Sequence, residues 1–415
     1  MTQLANMLEK EAVTLVRVLE QIRREGPISQ VEIGQKLGLG RAIVNVHTKK
    51  LLAERVVVPT GEREAGGMGR PRVLLDLARE GKAVLGIALD SPVLSGAVMD
   101  FSNRIVVRHE RDVSEVKSHE ELAEHVAQLV QQLQADARAK SLELYSACFS
   151  VPGLLEDGTG RILNYVNMPA ANGLDAKQVL GQLLGVPIYV VPLASAIYWG
   201  GLESDQSDQQ IFQVIWDLGV GLMPGRGYEV GFKAYARKPG QVNNNIRDIG
   251  HAVLWPGGRP CYCGRRGCLE AYLGGHAITD RWNERHPEER ITFSQLLDRA
   301  SRNEPAYLNQ IARQGRRLGE ALGWIFAVHQ PGQIKLSGQI PDAVPVARDA
   351  FWDGVCRRIG EDQPQSTFSY VGDTRSIELL GSCRLALHVR FNKPLLDIVS
   401  DDDASESTAS TIVVG

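Results

Sequence analysis

Long apolar runs are missing from this chain of 415 residues, and cysteine is scarce. No stretch of about 18 apolar residues occurs, and the N-terminus lacks the apolar core of a signal sequence, so neither a membrane span nor export is expected. Three of the six cysteines fall in one short loop, which argues against a disulfide framework. These absences predict a cytoplasmic protein. Its length predicts two or three domains.

Charge is unevenly distributed along the chain. Residues 1–82 contain 14 Lys and Arg against 10 Asp and Glu, a net charge of +4. The remaining residues contain 32 against 39, a net charge of −7. A basic head on an acidic body indicates that only the head meets a polyanion.

The three clustered cysteines follow a histidine in the segment HAVLWPGGRPCYCGRRGCLE, residues 251–270. Zinc prefers thiolate and imidazole ligands, and four of them close its tetrahedral sphere, as in structural rather than catalytic sites. Two glycines in the loop favour a chain reversal that brings the sulfurs together. We predict one structural zinc ion per chain, held by His251, Cys261, Cys263 and Cys268. The alternative is three unrelated buried thiols beside a histidine.

The same segment resembles the signature of the ROK family, named for repressors, open reading frames and sugar kinases. In that family a Gly-His pair precedes a Cys-x-Cys-Gly-x-x-Gly-Cys-Leu-Glu run. The resemblance extends from Ala83 to about Phe391 and implies an α/β, actin-like sugar-kinase fold in two lobes. It leaves two functions open, a kinase and a repressor.

The N-terminal segment is patterned as three helices. An apolar face that includes Leu15, Leu19 and Ile22 recurs at helical spacing. After Gly26-Pro27, the pair Ser29 and Glu32 forms a capping box that predicts a second helix over residues 30–37. A Gly-Leu-Gly turn then leads to a third helix over residues 41–53. Two short helices joined by such a turn are typical of a helix-turn-helix.

The third helix has the two faces that a recognition helix needs. Val44 and Leu51 point inward, whereas Arg41, Asn45 and Lys49 share a polar face. One face can pack on the head while the other meets base edges and phosphates. We therefore predict that Arg41, Asn45 and Lys49 bind DNA. Gly40 stands where a Ser or Thr helix cap would be usual.

Two short strands, over residues 56–58 and 73–75, follow this helix and flank a glycine-rich loop. The loop is typical of a wing, and its Arg70 is predicted to enter the minor groove, where arginine is attracted by negative potential. The layout resembles the winged helix-turn-helix that heads the repressor branch of the ROK family. A small helical domain with a merely solvated polar face is the alternative.

From Ala83 onward strands and helices alternate, which indicates α/β architecture. Strands are predicted over residues 84–89, 96–99, 144–151, 187–191 and 211–216, with a long helix over 118–135. A head is predicted over 1–82. The resemblance to the ROK family implies a first lobe over 83–195 with about 382–398 and a second lobe over 196–381, with the last helix, around residues 382–390, packed on the first lobe. Residues 399–415 are expected to form a disordered acidic tail.

The resemblance to ROK kinases fails where their chemistry is performed. Their first strand ends in Asp-x-Gly-Gly-Thr, but the matching residues 88–92 lack that aspartate, both glycines and the threonine. Their catalytic Asn-Asp pair matches Leu193 and Ala194, which accept no proton. The third glycine-rich loop, residues 217–221, keeps only part of its pattern. Because phosphoryl transfer depends on these groups, no catalytic residues and no enzyme activity are predicted.

Some sugar-binding positions of the family are retained. The resemblance implies ligand contacts at Asn167, Asp248, His251 and Glu270, with Asp248 one methylene shorter than the usual glutamate. For Glu270, support of the metal loop is an equal alternative. Apolar Leu193 and Ala194 replace two polar sugar contacts, so the pocket is expected to be more apolar, to take another ligand, or to be empty.

The sequence therefore predicts a transcriptional regulator, a repressor of carbohydrate-related genes. Operator DNA and a small sugar or sugar derivative are its expected partners. A homodimer is expected because one recognition helix reads too few bases for genomic specificity. An ATP-dependent sugar kinase and a ligand-independent DNA-binding regulator are the alternatives.

Overall fold

The structure is a computed structural model that describes residues 2–64, 72–78, 81–156, 159–165, 168–202, 210–226, 249–360 and 367–389. The described residues form two compact units. One comprises residues up to Val191 together with those from Leu379, and the other extends from Pro192 to Glu378. Within these ranges, no helix combines the length and apolar character needed to cross a bilayer.

The helices of the described ranges are mostly amphipathic or buried. They are α1 (Thr2–Glu25), α2 (Gln30–Leu37), α3 (Arg41–Ala53), α4 (His119–Ala139), α5 (Ala176–Leu183), α6 (Leu193–Gly200), α7 (Glu270–Leu273), α8 (Gly275–Arg285), α9 (Phe293–Ser301), α10 (Pro305–His329), α11 (Gln339–Ala343), α12 (Val346–Ile359) and α13 (Thr374–Val389). Short 3-10 helices cover Pro169–Ala171 and Ile249–His251.

The strands of the described ranges form four sheets. They are β1 (Ile28–Ser29), β2 (Val57–Glu64), β3 (Arg72–Leu77), β4 (Lys82–Asp90), β5 (Val93–Asp100), β6 (Ile105–Asp112), β7 (Glu143–Val151), β8 (Leu154–Leu155), β9 (Ile162–Asn164), β10 (Ile188–Pro192), β11 (Gln210–Trp216), β12 (Val220–Arg226), β13 (Gln333–Ser337) and β14 (Thr367–Tyr370). The predicted fold class is confirmed: a helix-turn-helix with a two-stranded wing precedes an α/β body.

The head is built from α1, α2 and α3 over a sheet with strand order β1-β3-β2. The predicted second and third helices have the predicted bounds, and Ser29 and Glu32 form the predicted capping box. The inward residues Leu15, Val44 and Leu51 are fully buried. The wing strands are longer than predicted because β2 and β3 continue their antiparallel pairing up to Glu64 and Arg72.

The first body sheet has the order β10-β7-β4-β5-β6. β4 pairs antiparallel with β5 and parallel with β7. Helix α4 buries one face, including Leu122, Leu129 and Leu133, in the core of this unit. Buried strands flanked by a helix are the arrangement that a nearly continuous apolar strand such as β4 favours.

The second unit centres on a sheet with the order β12-β11-β13-β14. β11 pairs antiparallel with β12 and parallel with β13. The long helix α10 and helices α8, α9 and α12 supply most of the remaining residues of its apolar core. Trp216 lies fully buried there, and its indole N–H donates to the Leu273 carbonyl at 2.7 Å.

The last helix begins earlier than predicted, at Thr374 rather than near residue 382. Thr374 satisfies the polar groups of this helix start, because its backbone N–H donates to Asp342 at 2.8 Å and its hydroxyl accepts from the Gly338 N–H at 2.8 Å. At the other end, Ala386 accepts a hydrogen bond from Ser146 on β7 at 2.5 Å. This contact supports the predicted packing of the helix end on the first body sheet.

A buried ion pair joins the head to the end of α13 within the first unit. Glu20 on α1 lies 3.1 Å from His388, and both side chains are almost fully buried. Burial raises the pKa of Glu20, but hydrogen bonds and charge from His388 and Arg23 outweigh it and lower that pKa to about 2. The structure thus holds Glu20 ionised in its interior.

We predict that Glu20→Gln lowers the free energy of unfolding at pH 7 by about 3 kcal/mol, because it strips a buried partner from His388. The folded pKa of Glu20 is depressed, so its contribution is present above the ordinary pKa of 4.5 and is lost as the pH falls toward about 2. Melting midpoints measured between pH 7 and pH 3 should therefore fall less steeply in the variant. Glu110→Gln removes an exposed pair with Arg108 and should cost less than about 1 kcal/mol. Equal midpoints for the two variants would contradict the assignment.

Candidate nucleic-acid interface and metal centre

The helix-turn-helix is fixed by contacts between its two helices. α2 ends at Gly38 in the left-handed conformation, and the Leu39 N–H donates back to the Gly34 carbonyl at 2.9 Å. The Gln30 amide donates to the buried Thr48 hydroxyl on α3 at 2.7 Å. These bonds hold α3 at a set angle, so its outward face is presented as one rigid surface.

The outward face of α3 carries the predicted DNA-binding residues. Arg41 and Lys49 are exposed and Asn45 is half-buried, whereas the inward Val44 is fully buried. N-cap Gly40 makes no side-chain cap bond, as expected. The predicted contact residue Arg70 lies outside the described residues.

Two exposed apolar residues on α3 were not among the predicted contacts. Ile43 is 45% and Val46 is 56% exposed. Large apolar side chains on a rigid exposed helix suit the methyl group of thymine, which lies in the major groove. The sequence places them directly after Ala42 and Asn45 on the predicted third helix. Helical periodicity alone, however, does not distinguish exposed apolar residues from core residues.

Four side chains converge in the second unit. His251, Cys261, Cys263 and Cys268 each place a ligand atom so that all four atoms lie within 4.8 Å of one another. The sulfurs of Cys263 and Cys268 are 3.7 Å apart. Two sulfurs at about 2.3 Å from one tetrahedral ion would be about 3.8 Å apart. The cluster therefore has the donor set and spacing of a metal site.

Backbone bonds shape the loop that carries the sulfurs. The Gly264 N–H donates to the Cys261 carbonyl at 3.0 Å, and the Cys261 N–H donates to Arg265 at 2.8 Å. An isolated bridge pairs Val253 with Cys268, which brings the segment after His251 alongside the last cysteine. The 18 residues from His251 to Cys268 thus close into one compact loop.

The thiols of the loop differ in acidity. Burial raises the pKa of Cys261 to about 12. Burial also raises the pKa of Cys263, but hydrogen bonds from the backbone and guanidinium of Arg265 outweigh it, so the net pKa is lowered. The thiolate is the form that ligates metals, and Arg265 stabilises it at Cys263.

Glu270 opens α7 two residues after the last cysteine and is buried. One carboxylate oxygen accepts from the Val220 N–H at 2.9 Å. The other accepts from the hydroxyl of Tyr262, which stands between two of the clustered cysteines. Predicted ligand contacts His251 and Glu270 thus flank one tyrosine.

The remaining predicted ligand contacts, Asn167 and Asp248, lie outside the described residues. At the positions of the kinase base, Leu193 and Ala194 form the start of α6, whose N-cap Pro192 offers no side-chain acceptor. Of residues 217–221, the first three form the tight connection between β11 and β12, in which the Asp217 N–H donates to the Gly219 carbonyl at 3.0 Å, and the last two belong to β12.

Sequence comparison gives two family matches. Residues 84–368 match the model of the ROK family, and residues 13–58 match that of a winged helix-turn-helix DNA-binding domain. The transcriptional dual regulator NagC of Escherichia coli strain K12 is 22% identical over 361 residues, covering 84% of this chain and 86% of its own. The xylose repressor of Bacillus spizizenii is 22% identical over 359 residues, covering 85% and 88%.

Solved structures share the fold. A ROK transcriptional regulator described as a homologue of the Escherichia coli MLC protein superimposes with a TM-score of 0.71 at 20% identity, covering 95% of this chain and 100% of its own. A ROK hexokinase from Thermus thermophilus gives 0.60 at 20% identity, covering 74% and 99%. The hexokinase match leaves a quarter of this chain uncovered.

We predict that Gly267→Ala destabilises the metal loop far more than Gly264→Ala. Both glycines have positive φ, at 82° and 85°, so each alanine costs about 1 kcal/mol in backbone strain. A Cβ at Gly267 would also lie 1.7 Å from the Trp255 carbonyl oxygen, whereas nothing lies within 4 Å at Gly264. The total for Gly267→Ala should reach about 3 kcal/mol. Thermal melting checks this, and similar midpoints for the two variants would refute it.

The family model covers more than half of the chain and includes the Cys/His loop, Glu270 and nearly all of both body sheets. This protein belongs to the ROK family.

Proposed function

We propose that this protein is a DNA-binding transcriptional repressor that responds to a sugar or sugar derivative. The observation that carries the proposal is the construction of α3. Its inner face is locked to the head through Val44, Leu51 and Thr48, while its outer face presents Arg41, Asn45 and Lys49. A rigid helix with mixed polar and apolar exposed residues suits the major groove. Arg70 is proposed to contact the minor groove from the wing.

Relatives support the regulatory role and the ligand class. The similar proteins bear the names N-acetylglucosamine repressor and xylose repressor. A hydroxyl-rich ligand suits Glu270, because an ionised carboxylate accepts hydrogen bonds from several hydroxyls. We propose contacts from Glu270 and His251, and from Asn167 and Asp248, to such a ligand.

A regulator rather than a kinase is favoured by the start of α6. Leu193 and Ala194 stand where kinases of the family carry their catalytic pair, and neither side chain can take a proton from a sugar hydroxyl. Phosphoryl transfer that relied only on the positioning of the reactants would still need the glycine-rich turns that bind the phosphates. We propose no catalytic residues.

The metal site is proposed to hold one zinc ion. Three thiolates and an imidazole complete a tetrahedral sphere with no open position, which is typical of structural zinc. His251, Cys261, Cys263 and Cys268 would be the ligands. The ion would neutralise the thiolates and fix the loop that carries Tyr262 and leads into Glu270.

All six cysteines are free of disulfides, which supports a reducing compartment such as the cytoplasm.

The domain organisation is proposed as predicted from the sequence. The head comprises residues 1–82, the first lobe 83–195 with about 382–398, and the second lobe 196–381, which carries the metal loop. Residues 399–415 are proposed to be an acidic tail; they lie outside the described residues.

A homodimer is proposed through the outer face of α10. Trp324 is 55% and Val328 is 71% exposed on this face. Trp324 lines a groove of about 610 Å³ together with Trp255, Arg317 and Glu320. A second copy suits the groove, because a two-fold axis across α10 can set the arginine of each copy against the glutamate of the other. Aromatic and arginine side chains are also the residues that carry most interface energy.

The DNA-binding proposal is tested with duplexes that the full-length protein enriches from a randomised pool. Asn45→Ala should weaken binding about tenfold or more and relax the preference at one base position. Lys49→Ala should weaken binding to all sequences and lower the salt slope by about one. Arg138→Ala removes an exposed charge of the body and should change neither. The same enriched duplex is then titrated with N-acetyl-D-glucosamine, D-xylose and D-glucose, of which at least one should lower DNA affinity.

No enrichment of any sequence would contradict DNA reading by α3. Enrichment with no response to the three sugars would leave the reading of DNA intact and overturn their role as effectors.

We predict that Trp324→Glu weakens the dimer by at least about thirtyfold, because a central aromatic contact contributes about 2 kcal/mol or more. Sedimentation velocity at micromolar concentration measures this directly. Leu163→Glu replaces a residue of the first unit that is 42% exposed and should leave the dimer unchanged. A monomeric wild-type protein, or an equally stable Trp324→Glu dimer, would show that this face is not the interface.

A further inference from the structure

Glu270 already has a hydrogen-bond donor at each oxygen. The Val220 N–H serves one oxygen at 2.9 Å, and the Tyr262 hydroxyl serves the other. Buried carboxylates require such donors, since an unpaired charge in the interior is costly. Each carboxylate oxygen keeps a second lone pair, so a ligand hydroxyl that approached Glu270 would either share the carboxylate with these donors or replace one of them.

The two donors are not equally replaceable. The Val220 N–H belongs to β12, and a Cβ added to the preceding Gly219 would lie 2.7 Å from the Glu270 carboxylate. Backbone thus closes that side of the carboxylate. The Tyr262 hydroxyl is carried by a side chain, and 44% of this residue is exposed. Among the described residues it is the donor that can leave Glu270 without a change of backbone.

The metal loop aims the Tyr262 ring at this position. Tyr262 lies between Cys261 and Cys263, and its ring packs edge-on to His251 at 5.0 Å and to His276 at 5.6 Å between centroids. His276 is itself held by the Leu218 carbonyl at 2.7 Å. The ring is therefore placed by two imidazoles, and its hydroxyl offers Glu270 the same chemistry as a sugar hydroxyl.

We propose that Tyr262 is a built-in competitor for the ligand at Glu270. The phenol occupies the carboxylate in the free protein, and a hydroxyl-bearing ligand binds by displacing it. Tyr262 then sets the threshold concentration at which the sensor responds, and its removal lowers that threshold. This inference rests on the proposed role of Glu270 in binding a sugar.

The test compares sugar affinity in the full-length wild-type protein and in Tyr262→Phe, by calorimetric titration with N-acetyl-D-glucosamine, D-xylose and D-glucose. The variant keeps the ring between the imidazoles and loses only the hydroxyl. At least one sugar should bind it about tenfold more tightly, as expected when one hydrogen bond to a charged group no longer competes. Tyr307→Phe removes a hydroxyl that is bonded to Arg299 elsewhere in the second unit and should bind sugar like the wild type. Glu270→Gln should weaken binding in both backgrounds.

Unchanged or weaker sugar binding by Tyr262→Phe would overturn the inference, as would a failure of both proteins to bind any of the three sugars. Circular dichroism checks that the variant is folded. If it is not, Tyr262→Leu, which also lacks the hydroxyl, must show the same gain in affinity. If the wild-type protein binds a sugar and Tyr262→Phe does not bind it more tightly, only the role of Tyr262 is rejected. If neither protein binds a sugar, the proposed contact of Glu270 with a sugar is rejected as well, while sequence enrichment by the wild-type protein still measures DNA binding independently.

Discussion

The candidate site at Glu270 depends on one short loop of the second unit, in which three cysteine sulfurs and an imidazole converge. The side chains of Cys263 and Cys268 meet at 3.7 Å, and that approach sets the start of α7 and the position of Glu270. The tyrosine between the first two cysteines is aimed at the same carboxylate. Like charges on thiolates repel, so this geometry is most stable around a cation. The proposed ligand site at Glu270 is therefore built on the same loop as the metal site.

The head depends on a different kind of constraint, which is a small set of polar bonds around an apolar core. Gln30 ties α2 to α3 through Thr48, and Glu20 ties α1 to His388 inside the first unit. A second tie joins the Tyr145 hydroxyl to Glu54 at 3.3 Å. Buried polar bonds of this kind have a defined geometry and are costly to break singly. These bonds fix the position of the recognition helix within the first unit.

Much of this arrangement was predictable from the sequence. The capping pair Ser29 and Glu32 predicted where α2 begins, because local hydrogen bonds fix helix starts. The spacing of the histidine and the cysteines predicted a cluster, because in so short a loop few backbone conformations keep these side chains apart. The start of α13 was missed because its polar groups are satisfied by Asp342 and Gly338, which are distant in sequence. The Tyr262 bond to Glu270 was missed for another reason, because the two residues meet across an irregular loop, for which no periodic pattern exists. Long-range polar partners carry no periodic signal.

If a metal ion braces the site at Glu270, the purified protein must contain that ion in stoichiometric amount. Elemental analysis by mass spectrometry, on protein prepared without chelator, should find one zinc per chain in the wild type and in Cys356→Ser, whose thiol lies outside the cluster. Cys263→Ser should contain little or none. Wild-type protein without zinc, or Cys263→Ser with a full complement of zinc, would show that the four side chains do not hold a zinc ion.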